Sequence, residues 1–245
     1  MKDGAQVIFS SDAARAAWTQ RAKQIDRRAL DDWRNDHLTP SILQECNEGL
    51  SSQSLEEVFV HPEFERDVIY VKETDERMGS RIENVTFDQI VGDQANYLIS
   101  AAKESGKSTV LKQIALKIAR SENGKHSHSV PVLLNFGNFK AYRAQLETLV
   151  RQKLPQLPQG LTVQRLLTDG LMTVLIDDVE FHSTDRKLAM VQFIATYPKN
   201  RYILATSTTF VESAAIQPEI SPDVPFIQAR LRGLRHRSLL ALIEN

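Results

Sequence analysis

The sequence predicts a parallel α/β domain, a five-stranded sheet flanked by helices, with a helical extension at its N-terminus. Three observations lead there. The apolar runs "NYLIS", "VPVLLNF", "LMTVLID", "RYILATS" and "VPFIQARL" are continuous rather than alternating, as strands covered on both faces are. Helix-length amphipathic segments separate most of them, the pattern of parallel strands joined by helical crossovers. Polar residues end several of the runs, at the sheet edge where open α/β folds bind ligands.

The chain has 245 residues, 42% hydrophobic and 25% charged, enough to bury a real core. Thirty basic against 31 acidic residues leave a net charge of -1, which excludes nucleic acid as a bulk electrostatic partner. The single cysteine, Cys46, excludes an internal disulfide framework and fits a reducing compartment. No early apolar run reaches the length of a signal core or membrane span, so the expected setting is cytoplasmic, without membrane contact.

From Ser11 and Asp12, apolar positions recur at Ala14, Trp18, Ala22, Ile25, Ala29 and Trp33, in steps of three and four. That predicts one long helix ending near Thr39-Pro40, because proline disfavours helix in the residue before it. Its apolar face is expected to pack on the core; the other reading is a stem for an upstream domain. Residues 1–50 are thus a helical segment. Residues 51–83 read as a connector with a short helix at "SLEEVF" and a strand at "DVIYV", and 84–245 as the main domain, led in by a helix over "IENVTFDQIV". There strands alternate with helices at Ser108–Arg120, "FKAYRAQLETLVRQKL", "TVQRLLTDG" and Thr184–Thr196. No glycine or proline follows the terminal "SLLALIEN", and the chain is expected to be part of a longer protein.

The stretch "NYLISAAKESGKSTVLKQIA" supplies a strand, a turn, a lysine and a hydroxyl residue that opens a helix. These are the parts of a phosphate-binding loop. Gly106 lets the backbone approach phosphate, Lys107 reaches the β and γ phosphates, and Ser108 offers its hydroxyl to Mg²⁺. Val110, Leu111, Ile114, Ala115 and Ile118 line one helix face, so the positive helix end points at the loop. Ala101 stands where the usual pattern has glycine; its cost depends on whether the local φ is positive.

Asp177 and Asp178 follow the strand "LMTVLI", about 70 residues beyond the lysine. Asp177 is the candidate to hold Mg²⁺ through its water shell and Asp178 to orient or deprotonate an attacking water, with Glu180 a second candidate base. In "RYILATS", Thr206 or Ser207 either senses the γ-phosphate or caps the strand end. No arginine follows "ATS" directly, Thr208 and Thr209 standing there instead, and Arg201, at the far end of that strand, reads as a solvated charge. His126 and His128 read as a polar turn, and the basic "RLRGLRHRSLL" as a solvated helix start.

In order and spacing, "NYLISAAKESGKSTVLKQIA", "VLIDDVEF" and "YPKNRYILATS" resemble the P-loop NTPase core of STAND proteins, the signalling ATPases that include the NACHT and NB-ARC groups. The resemblance covers roughly Asn84 to Asn245. "LIDDV" is nearer the NB-ARC style and "SVPVLLNF" nearer NACHT proteins. It implies an ATP switch in which ADP holds a closed monomer and ATP opens it for self-association through the NTPase domain, with effector and sensor domains on the same longer chain. It also implies that Ala101, Ala102, Lys103, Glu104, Ser105, Gly106, Lys107, Ser108 and Thr109, with Thr206, surround ATP or ADP. Ser108 and Asp177 would hold Mg²⁺, while Lys107 and Asp178 act in slow hydrolysis. Three departures stand out: Ala101, the missing arginine after the sensor strand, and the lid and winged-helix regions, which do not follow. A non-catalytic scaffold with a degenerate loop is the alternative, and a small-molecule kinase, lacking an arginine-rich lid, ranks below both.

Overall fold

Parallel strands that turn both faces to helices need apolar side chains on both sides. The computed structural model, which describes residues 28–48, 54–71, 78–120, 129–139, 143–180, 184–208 and 224–232, shows five such strands. They are β3 (Asn96–Ala101), β4 (Val130–Asn135), β5 (Met172–Asp177), β6 (Arg201–Ser207) and β7 (Phe226–Leu231). They lie in the order β7-β3-β6-β5-β4. Every residue of β5 is buried, and neighbours along it serve different cores: Val174 and Ile176 join one cluster, Leu175 the other. That is the physical content of its unbroken apolar run.

The sheet has seven strands rather than the five expected. The strand read at "DVIYV" in the connector is part of the longer β1 (Glu63–Val71), and β2 (Met78–Thr86) runs from the connector into the main domain; the two form an antiparallel hairpin joined to the sheet where β1 pairs with β7. Charged residues interrupt both strands, so neither shows the continuous apolar run of a two-face-buried strand. Instead, cross-strand pairing carries charge: Arg66 lies opposite Glu83 and donates twice to its carboxylate, at 3.0 and 2.7 Å. Among the hairpin residues whose side chains are described, Phe64 and Val85, opposite one another near the end that meets β7, are the buried ones.

The helix expected over "IENVTFDQIV" is also corrected. Ile82 to Thr86 belong to β2, and the helix is α3 (Phe87–Gly92). Thr86 starts it with a capping box, its hydroxyl accepting from Gln89 N–H at 3.1 Å while its own N–H donates to the Gln89 side chain at 2.7 Å.

The N-terminal helix does not stop at Thr39-Pro40. Residues 28–47 are helical throughout, with a π-helical turn at Arg34–Leu38 running into α1 (Thr39–Asn47). Thr39 N–H bonds Arg34 O, one residue further back than in an α-helix. Proline lacks an N–H and crowds the carbonyl four residues earlier; the widened turn just before it accommodates both defects. Leu30, Trp33 and Leu38 are buried in the main core, and Trp33 Nε1 donates to Gln156 O at 2.8 Å. The described part of this helix therefore packs on the sheet domain, and Ile42 touches all three apolar clusters. The positions from Ser11 to Ile25, His126, His128, Thr209 and residues 233–245 lie outside the described residues; of the basic segment read as a solvated helix start, Arg230 and Leu231 instead end β7, and Arg232 pairs with Glu63 and Glu65 of β1.

Helix α4 (Lys107–Ala119) packs with α3 on one face of the sheet, while α5 (Arg143–Lys153), α6 (Val163–Asp169) and α7 (Thr184–Thr196) cover the other. α2 (Leu55–Val58) packs beside Cys46 and Leu116. Burial raises the Cys46 pKa to about 11, which keeps the thiol protonated and unreactive. Arg201 is not a solvated charge: it is buried, and its guanidinium donates to the carbonyls of Ala95 (3.1 Å), Val91 (3.2 Å) and Ile90. It thereby ties the C-terminal end of α3 to the start of β6. Among the described residues no helix is long and apolar enough to cross a membrane.

Candidate functional site

Parallel strands end together at one edge, and that edge gathers the polar residues. The register sets Ala101 opposite Ser207 and Asn135 opposite Asp177. β6 lies between the loop-bearing β3 and the acid-bearing β5, so the loop and the acids face each other across one strand.

Beyond Ala101 the chain turns through Glu104 (φ 62°) and Gly106 (φ 86°) before Lys107 opens α4. Residues in the left-handed region reverse the direction of the backbone N–H groups, the geometry of an anion-binding nest. A Cβ on Gly106 would meet nothing within 4 Å, so glycine is needed here for its φ and not for space. No side chain caps α4, and its first N–H groups face the loop. The Lys107 ammonium lies back along the loop, donating to Ala102 O at 2.8 Å and Ala101 O at 3.4 Å. Ser105 Oγ closes the loop onto Ala102 O at 2.7 Å.

Ala101 is fully buried, packs in the cluster containing Val110 and Ile114, and does not have positive φ. The methyl thus carries no backbone strain, and it fills core. Ala101→Gly is expected to cost about 1 kcal/mol of stability, from the extra freedom of the unfolded chain and one lost buried methyl. Urea unfolding reads the loss; an accompanying gain in nucleotide affinity would show instead that the alanine obstructs the loop.

Asp177 ends β5 and is buried. Desolvation pushes its carboxyl pKa up, the Ser108 hydroxyl donating to it pulls down, the Asp178 charge raises it and Lys107 lowers it. The loop serine and the first acid are thus in direct contact. Asp178 has φ 53°, which a short polar side chain tolerates. Its N–H donates to Asp177 Oδ1 at 2.9 Å, and its own carboxylate accepts from Asn135 Nδ2 at 3.4 Å. The next residue is clamped to β6: Val179 N–H bonds Ala205 O at 2.8 Å, and Thr206 Oγ1 donates to Val179 O at 2.7 Å. Thr206 is buried with its hydroxyl on that carbonyl, whereas Ser207 and Thr208 line the cleft.

The cleft at this edge has a volume of about 800 Å³, with Lys103, Lys107, Asn135, Asp178, Glu180 and Arg186 in its walls. Of the candidates in the loop, Ala102 and Lys103 also line it, Glu104 is exposed, and Ser105 and Thr109 are half-buried. Asn135 and Arg186 were not singled out from the sequence. Asn135 carries the signal that marked Asp177, a polar residue ending an apolar run; Arg186 carries none, since its place depends on how α7 docks.

Among the described residues no group of three or more His, Cys, Asp or Glu side chains could hold a metal. The paired oxygens of Ser108 and Asp177 nevertheless suit Mg²⁺, a hard ion usually bound by one or two carboxylates together with phosphate oxygens and water.

No protein-family model matches the chain, and no curated protein matches it. Among solved structures it is similar to C. elegans PCH-2, at 17% identity and a TM-score of 0.41, over 62% of this chain and 39% of that one.

Proposed function

We propose that the chain is an ATP-binding, slowly hydrolysing switch and self-association domain of a STAND-type signalling protein. One observation carries the nucleotide part: the glycine-lysine-serine turn and the acid pair, 69 to 72 residues apart in sequence, meet at one sheet edge, with the Ser108 hydroxyl close enough to lower the Asp177 pKa. The order of the three sequence motifs supports the STAND assignment.

In this reading the loop N–H groups and Lys107 bind the phosphates, and Ser108 and Asp177 hold Mg²⁺. When bound, the ion neutralises charge on the terminal phosphates. Asp178, held by Asn135 and turned by its left-handed backbone, orients the attacking water or takes its proton. Thr206 contributes by fixing the acid loop to β6. The absence of an arginine after β6 makes turnover slow.

The test is a calorimetric titration of Mg²⁺-ATP and of metal-free ADP into the wild type and Asp177→Ala. Asp177→Ala is expected to weaken Mg²⁺-ATP about tenfold and ADP less than threefold, because only the first ligand uses the carboxylate through its metal. Equal effects on the two would remove Asp177 from the metal site, and a wild type that binds neither would end the nucleotide reading. Metal binding needs the ionised carboxylate. Its raised pKa makes wild-type Mg²⁺-ATP affinity fall, as pH drops, at a higher pH than an ordinary aspartate would allow.

A further inference from the structure

Resting on the nucleotide reading above, we infer that Arg186 contacts the terminal phosphate of the bound triphosphate, from across the cleft and from the same chain. β6 ends in Ser207 and is followed by Thr208, so no arginine enters from that strand end. Arg186 reaches the cleft by another route. It stands in the first turn of α7, whose Ala189, Met190, Phe193 and Ile194 pack in the core on the sheet face opposite α4. The start of α7 therefore approaches the binding edge from one face while Lys107 approaches from the other, and both line the same cleft.

Of the adjacent cations Arg186 and Lys187, Arg186 is the one in the cleft wall. A cation in a first helical turn opposes the helix dipole, so helix stability does not explain it. Asp178 and Glu180 line the cleft as well, and their negative charge favours a guanidinium beside them. The group suits the task. The planar guanidinium fork engages two phosphoryl oxygens at once, and charge on the equatorial oxygens of a transferring phosphoryl is what an arginine at such a site stabilises. The loop and Lys107 would hold a diphosphate without it. Arg186 thus separates triphosphate from diphosphate.

The experiment compares wild type, Arg186→Gln, Arg186→Lys and Lys103→Ala. Dissociation constants for ADP and for a non-hydrolysable Mg²⁺-triphosphate analogue are measured alongside ATP turnover. Arg186→Gln is expected to weaken the triphosphate about tenfold, leave ADP within about twofold and cut turnover more than tenfold. Arg186→Lys restores much of the affinity and little of the turnover, since a point charge lacks the fork. Retained ADP binding shows that each variant is folded. Equal weakening of both nucleotides, no change in either, or a triphosphate-selective loss in Lys103→Ala with none in Arg186→Gln would overturn the assignment. A wild type that binds ADP and the analogue equally also overturns it. Failure to bind either nucleotide defeats the underlying reading and this one together.

Discussion

Lys107→Ala is expected to raise the dissociation constant for Mg²⁺-ATP about a hundredfold, a loss near 3 kcal/mol. The size follows from where the ammonium sits. It lies on the carbonyls of Ala101 and Ala102 at the rim of the cleft, half-buried, so its attraction for phosphate is less screened than a surface lysine's. The N-terminus of α4 remains in the variant and keeps residual affinity, so the loss is large but incomplete. The fold should not suffer, because the shorter of the two bonds goes to the carbonyl of Ala102, which is exposed and can turn to water. Calorimetric titration with ATP and a thermal melt of the same sample check both halves. Affinity within threefold of the wild type would take Lys107 out of the site, and a collapsed melt would make its role structural.

Trp33→Ala is expected to cost about 3 to 5 kcal/mol of stability. Trp33 is 4% exposed, sits among the residues of the main core and donates to Gln156 O across 123 positions of sequence. Removing it leaves a cavity and an unpaired carbonyl, and frees the helix that lies beside β4. For a domain of this size the melting temperature should fall by roughly 6 to 20 °C. Trp33→Phe separates the two contributions: it keeps most of the buried volume and gives up only the hydrogen bond, about 1 kcal/mol. If Trp33→Ala melts like the wild type, the helix is an appendage, and the reading of residues 28–38 as part of the core fails.

Where the sequence was legible, the physics is local. An unbroken apolar run followed by acid located β5 and Asp177, and the bounds of α7 and β6 match those read from the sequence. Gly106 was recognised by its chemistry, and its positive φ is the reason for it. The misses are non-local. The strand read at "DVIYV" is part of β1, but its start at 63–66 and the whole of 78–86 carry too many charges for a two-face-buried strand, and they are strands because they pair along the hairpin, where Arg66 meets Glu83. Arg201 is a charged residue at a strand start, ordinarily a solvent position. Its burial depends on three carbonyls at positions 90, 91 and 95 that wait at the end of α3. Ala101 looked like damage because a pattern prefers glycine there, although the preference concerns φ and this φ is not positive.

What the sequence determined by itself is the set of strands and helices of the parallel core and the chemistry at their ends: the glycine-lysine-serine turn, the acid pair, the hydroxyls after β6. Each rests on side-chain size, capping and backbone freedom within a few residues. What only the tertiary structure decided is who stands beside whom. The strand order places β6 between loop and acids, brings Asn135 level with Asp177, and sends Arg186 to the cleft from the far face. Strand order is set by which apolar faces bury best against helices contributed from elsewhere in the chain, and no local pattern encodes that sum.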